Sequence, residues 1–243
     1  MPFESSLISI IVPVFNEAGT VASVIDRLLE IELPSPREII VVNDGSTDGT
    51  KGALETARPY VTHIHHATVN GGKGAAIRTG LKYVSGDVVL IQDADLELDP
   101  RQHAALLQPI MEGRANVVYG SRFLKPNPLI PTRTVWANRF LTGLTNLLFG
   151  SRLTDMETAF KAFRTEIICS LPLTCRRFEF EPEVTAELLR RGHRILEIPV
   201  DYRPRTTDEG KKIRPRDGLI AIWTLLKCRV RSSRHAAPSE VQI

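Results

Sequence analysis

Val88-Val89-Leu90-Ile91 is a run of four consecutive apolar residues, and it passes directly into Gln92-Asp93-Ala94-Asp95-Leu96-Glu97. A strand that is apolar at every position is buried on both faces, the condition of a strand inside a parallel sheet covered by helices. Two other segments are close to this pattern: Leu7 to Val12, apolar but for Ser9, ends at Pro13, and Ile39-Ile40-Val41-Val42 runs into Asn43-Asp44-Gly45-Ser46. Between them the apolar spacing becomes helical, with Val21, Val24, Ile25, Leu28 and Leu29 on one face before Pro34 and Pro36.

The alternation continues. A helix through Leu54, capped by Ser46 or Asp48, leads to a weak strand around Val61 to His65 and then a helix through Ile77 and Leu81. Pro100 opens another helix, Asn116 to Tyr119 reads as a strand, and Trp136 to Phe149 as a helix. Residues 124–131 hold three prolines and read as a loop. Glu181 to Arg191 reads as a helix stopped by Gly192, before a strand from Ile195 to Val200. Strands alternating with helices predict an α/β fold, a single Rossmann-like domain with a mostly parallel central sheet flanked by helices. In such sheets ligands sit beyond the carboxyl ends of the strands. Pro13 to Glu17, Asn43 to Ser46 and Asp93 to Glu97 all follow strands, so three polar loops are expected along one edge.

Asp93, Asp95 and Glu97 stand at alternate positions, and in an extended chain alternate side chains share a face. Three carboxylates that converge repel one another unless a cation sits among them, and oxygen ligands suit a hard ion, Mg²⁺ or Mn²⁺. The competing reading is a solvated acidic strand end. Gly71-Gly72-Lys73-Gly74, ahead of a helix, offers backbone N–H groups and a lysine to phosphate. It is neither a P-loop nor a dinucleotide fingerprint, since Ile77 stands where a third glycine belongs. His63, His65 and His66 fit a surface strand better than a metal site.

The 243 residues are 42% hydrophobic and 24% charged, the profile of an ordinary globule, and a net charge of +3 gives no reason to expect nucleic acid as a partner. Basic residues gather late: Arg203, Arg205, Lys211, Lys212, Arg214, Arg216, Lys227, Arg229, Arg231 and Arg234 suit phosphate groups, an anionic membrane surface or plain solvation. Leu219, Ile222, Trp223, Leu226 and Val230 form a helical stripe among them, for a membrane surface or for packing on the domain. No apolar run approaches the ~18 residues of a membrane span. Met1 to Ser6 lacks the pattern of a signal peptide, and Cys169, Cys175 and Cys228 show no metal-ligand spacing, so a cytoplasmic protein with reduced thiols is expected, soluble or peripheral at the cytoplasmic face.

The motifs occur in a fixed order: Val12-Pro13-Val14-Phe15-Asn16-Glu17, then Val42 to Thr50, then Asn70 to Gly74, then Asp93-Ala94-Asp95. In that order the chain resembles the family 2 glycosyltransferases, and most the branch of dolichol-phosphate mannose synthases and dolichyl-phosphate glucosyltransferases, over about residues 7 to 218. The resemblance implies a GT-A fold and an inverting transfer of a hexose, mannose or glucose, from a nucleotide sugar of the GDP-mannose or UDP-glucose class to a polyprenyl phosphate. It implies a catalytic domain over residues 1–217, followed by a basic amphipathic helix and tail over 218–243.

By the same resemblance Pro13, Phe15, Glu17 and Asp44 surround the nucleoside, Gly72, Lys73, Asp93, Ala94 and Asp95 complete the nucleotide-sugar site, and Asp93 and Asp95 work with the metal. Glu97 stands where the mannose synthases often carry a metal-binding Gln, and is expected as a third ligand or else as a spare charge at the rim. Arg122, Arg133, Arg205 and Lys211 are expected to hold the acceptor phosphate. Leu153 to Lys161 resembles the family segment near the donor sugar, with Ala159 in place of a glycine. Asp95, Arg122 and Asp155 are the catalytic candidates, Asp155 as base if the acceptor is a hydroxyl, or else as the N-cap of the next helix. A phosphate acceptor is already a nucleophile and needs no strong base. A saccharide hydroxyl acceptor, or a subunit that binds nucleotide sugar without catalysis, are the other readings.

Overall fold

The three apolar runs lie side by side in the middle of one sheet. A computed structural model describes residues 6–205 and 215–231. Within them the strands are β1 (Ile8–Val14), β2 (Arg37–Asn43), β3 (His63–His66), β4 (Val88–Ile91), β5 (Val117–Ser121), β6 (Lys161–Arg164) and β7 (Leu196–Pro199). They pair in the order β3-β2-β1-β4-β6-β5-β7. β6 runs antiparallel to both β4 and β5, and every other pairing is parallel. β1 passes through Pro13 instead of stopping there. The N–H that proline lacks faces the β4 side, where pairing with β4 ends at Ile11, so no ladder bond is lost.

The helices are α1 (Val21–Glu30), α2 (Thr50–Ala57), α3 (Lys73–Gly80), α4 (His103–Met111), α5 (Thr132–Phe149), α6 (Thr165–Ser170), α7 (Phe180–Arg190) and α8 (Pro215–Val230). Val24 and Leu28 of α1, Leu54 of α2 and Leu107 of α4 pack with Ile10, Val41 and Leu90 on one face of the sheet. Ile77 of α3, Ile168 of α6 and Val184 of α7 pack with Ile11, Val89 and Phe163 on the other. Each fully buried side chain of this size contributes about 1.5–3 kcal/mol, so covering both faces is what keeps a sheet without exposed polar positions in place.

A third layer forms where α5 and α8 meet α7, through Leu141, Ala186, Ala221, Leu225 and Cys228. The boundary expected at 217/218 therefore falls inside a helix that packs on the domain. α8 also carries a second apolar stripe, Leu219, Trp223, Leu226 and Val230, which is exposed. Cys169, Cys175 and Cys228 are free thiols, the last two buried.

Candidate active site

β1, β2 and β4 run parallel, and β6 is antiparallel to both β4 and β5, so β1, β2, β4 and β5 all end at one edge. The loops after β1 and β2 are laced together there. Asn16, a non-glycine residue at φ 52, gives its N–H to Ser46 Oγ at 3.0 Å and takes Thr47 N at 2.8 Å through Oδ1. Glu17 N donates to Thr50 Oγ1, and Ala18 N to Asp48 Oδ2. Asp48, not Ser46, satisfies the start of α2, accepting from Thr50 N at 2.9 Å. Pro13 is buried in β1, and Phe15 is part-buried at the mouth of the loop.

The glycine loop departs from the phosphate cradle expected of it. Gly71 N and Gly72 N donate to the two oxygens of Asp44 at 2.9 and 2.7 Å. Gly74 N and Ala75 N donate to Arg177 O and Arg176 O. Lys73 lies between Asp93 at 2.8 Å and Glu181 at 2.9 Å, and although burial works against its charge, those two carboxylates hold its pKa above the ordinary lysine range. Asp44 thus spends its carboxylate on shaping the loop, and Lys73 orients Asp93.

The acidic loop is not extended, so the alternate-residue argument fails for it. The chain bends over residues 94–98, and Asp95 Oδ1 takes the N–H of Glu97 at 3.2 Å. The buried Gln92 amide bridges the loop, donating to Asp93 O at 2.9 Å and Leu98 O at 3.2 Å. Its Oε1 therefore accepts from His103 Nε2 at 2.8 Å, and burial keeps that imidazole neutral, its pKa down at about 3. Asp93 has a partner of its own, whereas Asp95 and Glu97 share Arg205. Asp93 has Lys73, while Asp95 Oδ2 meets Arg205 Nη2 at 2.7 Å, and Arg205 Nη1 reaches both Glu17 oxygens at 3.1 Å.

Glu97, expected as a third metal ligand, accepts two hydrogen bonds from the chain that follows β7. Its oxygens take the Tyr202 hydroxyl at 2.9 Å and the Arg205 backbone N–H at 2.8 Å, tying down the chain after β7. Among the described residues no group of three acidic, His or Cys side chains is arranged to hold a metal. Asp93 and Asp95 nonetheless fit a divalent ion chemically. Both offer hard oxygens, and burial, with the Asp93 and Glu97 charges adding to it against Arg205, pushes the Asp95 carboxyl up to about 7. That is a carboxylate short of positive charge. Ala94 is buried between the two.

At the end of β5, Arg122 grips Asp155 as a fork, Nε to Oδ2 and Nη2 to Oδ1, both at 2.7 Å, with its backbone N–H on Oδ2 at 2.9 Å. Burial opposes the guanidinium charge, but Asp155 outweighs it and holds its pKa above the ordinary range. Nη2 also reaches Asn138 of α5, and the Tyr202 ring lies 5.2 Å away. Asp155 is fully buried, and no helix begins after it, so it is not an N-cap. Its own N–H and that of Thr154 are held by Glu197. Arg205, expected at the acceptor phosphate, sits among the acidic groups instead. Arg133 is exposed in the first turn of α5, and Lys211 lies outside the described residues.

Glu181, Glu197 and Tyr202 are site residues that pattern reading missed. A signal was present for the first: α7 buries Glu181, Glu183 and Glu187 on faces where its amphipathic spacing calls for apolar residues. Buried carboxylates are held by donors, and Glu183 likewise holds Thr174 N and Cys175 N.

Residues 9–171 match the family model described as Glycosyl transferase family 2. The glycosyltransferase AglJ of Haloferax volcanii is 29% identical over 223 residues, 90% of this chain and 71% of that protein. The undecaprenyl-phosphate mannosyltransferase of Micrococcus luteus is 27% identical over 243 residues, 90% of this chain and 97% of that one. The crystal structure of glucosyl-3-phosphoglycerate synthase from Mycobacterium tuberculosis, in complex with Mn²⁺, UDP and phosphoglyceric acid, superposes with a TM-score of 0.74 at 23% identity, covering 94% of this chain and 80% of that one.

Proposed function

The chain belongs to glycosyl transferase family 2 and is a glycosyltransferase of the GT-A fold, and from that premise we propose that it transfers a hexose, mannose or glucose, from a GDP- or UDP-sugar to a polyprenyl phosphate with inversion. The observation that carries the reading is the pairing of two charged stations on one sheet edge. Asp93 and Asp95 follow β4, and Arg122, locked by Asp155, follows β5. Relatives named for polyprenyl-phosphate transfer support the acceptor class.

In this reading an oxygen of the acceptor phosphate attacks the anomeric carbon as the bond to the departing diphosphate breaks, and no proton has to be removed. Asp93 and Asp95 are the residues that would hold Mg²⁺ or Mn²⁺, which supplies neutralisation of the diphosphate when bound. Lys73 fixes Asp93 in place. Asp155 fixes Arg122, so the acceptor meets a preset cation. A hydroxyl acceptor would need a free base, and the Asp155 carboxylate is taken up by Arg122.

Contact with a membrane surface belongs to the same proposal. Trp136 and Phe140 of α5 and Leu219, Trp223 and Val230 of α8 are exposed, with the basic Lys227 and Arg229 beside the α8 stripe. No helix among the described residues is long and apolar enough to cross a membrane. The direct test incubates UDP-glucose and GDP-mannose with and without polyprenyl phosphate and Mn²⁺. A glycolipid product that requires the phosphate and is lost in Asp95→Ala is expected. Transfer to sugar hydroxyls without the lipid overturns the acceptor assignment, and full activity of Asp95→Ala without metal overturns the role of the acidic loop.

A further inference from the structure

The chain after β7 crosses from one charged station to the other. Val200 N donates to Ser121 O at the end of β5, and Arg203 N donates to Glu97 O in the loop after β4. Between these two points neighbouring side chains hold the backbone. Gln102 brackets Asp201, taking its N–H at 2.6 Å and donating to its carbonyl at 3.0 Å, and Asn127 donates to Tyr202 O at 2.6 Å.

Tyr202 turns its two ends to different stations. The Arg122 guanidinium lies over its ring, 5.2 Å from the centre, and its hydroxyl donates to Glu97 Oε2 at 2.9 Å. Burial and the Glu97 charge hold the hydroxyl pKa above the ordinary tyrosine range, so the O–H remains a donor. Glu97 in turn places the acidic loop: Asp95 Oδ1 takes its N–H at 3.2 Å, and its own Oε1 takes Arg205 N at 2.8 Å.

The fork from Asp155 holds Arg122 by its edge, and an edge contact leaves the guanidinium plane free to tilt. A ring over the face of the plane restrains that tilt. Phe123 supplies a second ring, 5.5 Å away, but it carries no polar group with which to reach the acidic loop. Transfer needs the attacking oxygen in line with the anomeric carbon at about 3–3.5 Å, and a misplacement of about 1 Å can cost about 100-fold. With the leaving group at one station and the nucleophile at the other, the spacing of the stations is part of the reaction geometry.

We propose that Tyr202 is a positioning residue that sets Arg122 against the acidic loop, its ring acting on the acceptor side and its hydroxyl on the donor side. The assignment rests on the reading of Arg122 as the acceptor cation and of the acidic loop as the diphosphate station.

Two substitutions take the side chain apart. Tyr202→Phe removes the hydroxyl and keeps the ring, and Tyr202→Leu removes both. Calorimetry with UDP and GDP in the presence of Mn²⁺ reads the donor side, and the KM for polyprenyl phosphate reads the acceptor side. Tyr202→Phe should bind the diphosphate that wild type accepts about threefold or more weakly, and keep the acceptor KM within about twofold. Tyr202→Leu should in addition raise that KM about fivefold or more. Equal acceptor KM values for the two variants, or unchanged diphosphate affinity in Tyr202→Phe, overturn the inference. So does a lowered melting temperature with both constants unchanged, the mark of a purely structural residue. Wild-type protein that binds neither nucleotide, or makes no product from polyprenyl phosphate, overturns the reading of the site instead. If Tyr202→Leu does not fold, Tyr202→Met is measured against the same criteria.

Discussion

Arg122 and Asp155 form an ion pair with the aspartate fully enclosed and the arginine side chain 12% exposed. Removing one partner of such a pair strands a buried charge, so Asp155→Asn should lower the unfolding free energy by about 3–5 kcal/mol, read by urea denaturation. The same variant separates acceptor classes. With a phosphate acceptor, the folded fraction retains measurable transfer, whereas a hydroxyl acceptor that depends on Asp155 as base loses it. His103 gives the second residue-level prediction. Its neutral imidazole accepts a proton in the fold only near pH 3, while the unfolded chain takes one below about 6.5. The unfolded state therefore binds more protons across that window, and stability declines as pH falls from about 6.5 to about 3. His103→Gln removes this contribution, so the stability of the variant relative to wild type should rise across the same window in denaturation series at several pH values.

At the level of elements, the glycine loop shows how much was legible. Its position before a helix followed from the pattern, and α3 does begin at Lys73. Its chemistry did not follow, because the partners of its N–H groups, Asp44 and Arg177, lie on other segments. Gly72 stands at φ +91, and a Cβ there would lie 2.6 Å from Arg176 O. Gly72→Ala is therefore expected to cost about 1–3 kcal/mol in thermal or chemical unfolding, and to lower transfer further by shifting Lys73 and with it Asp93. α8 was read as either membrane-facing or packed, and one of its faces packs while another is exposed. Ala221, Leu225 and Cys228 pack inward, and Leu219, Trp223, Leu226 and Val230 face solvent.

For the whole molecule, the exposed aromatic residues on α5 and α8 set the expectation that the protein floats with vesicles containing anionic lipid. Trp136→Ser combined with Trp223→Ser should reduce flotation several-fold and leave the melting temperature nearly unchanged, since both side chains are about two-thirds exposed. Unchanged flotation would remove the membrane from the account. The sequence by itself determined the α/β class, the central strands and the polar loops at one edge, because burial on both faces and the helical period are local patterns that tertiary packing does not rewrite. Only the tertiary structure decided which charge meets which. Arg205 reaches Glu17 across 188 positions and Asp95 across 110, and Arg122 reaches Asp155 across 33. An ion pair is decided by a few ångströms between side chains, and spacing along a chain carries no such distance once loops intervene. That is why Asp93 and Asp95 could be read as an acidic pair from their order, while the partners of Glu97, the Tyr202 hydroxyl and the Arg205 N–H, became visible only in the fold.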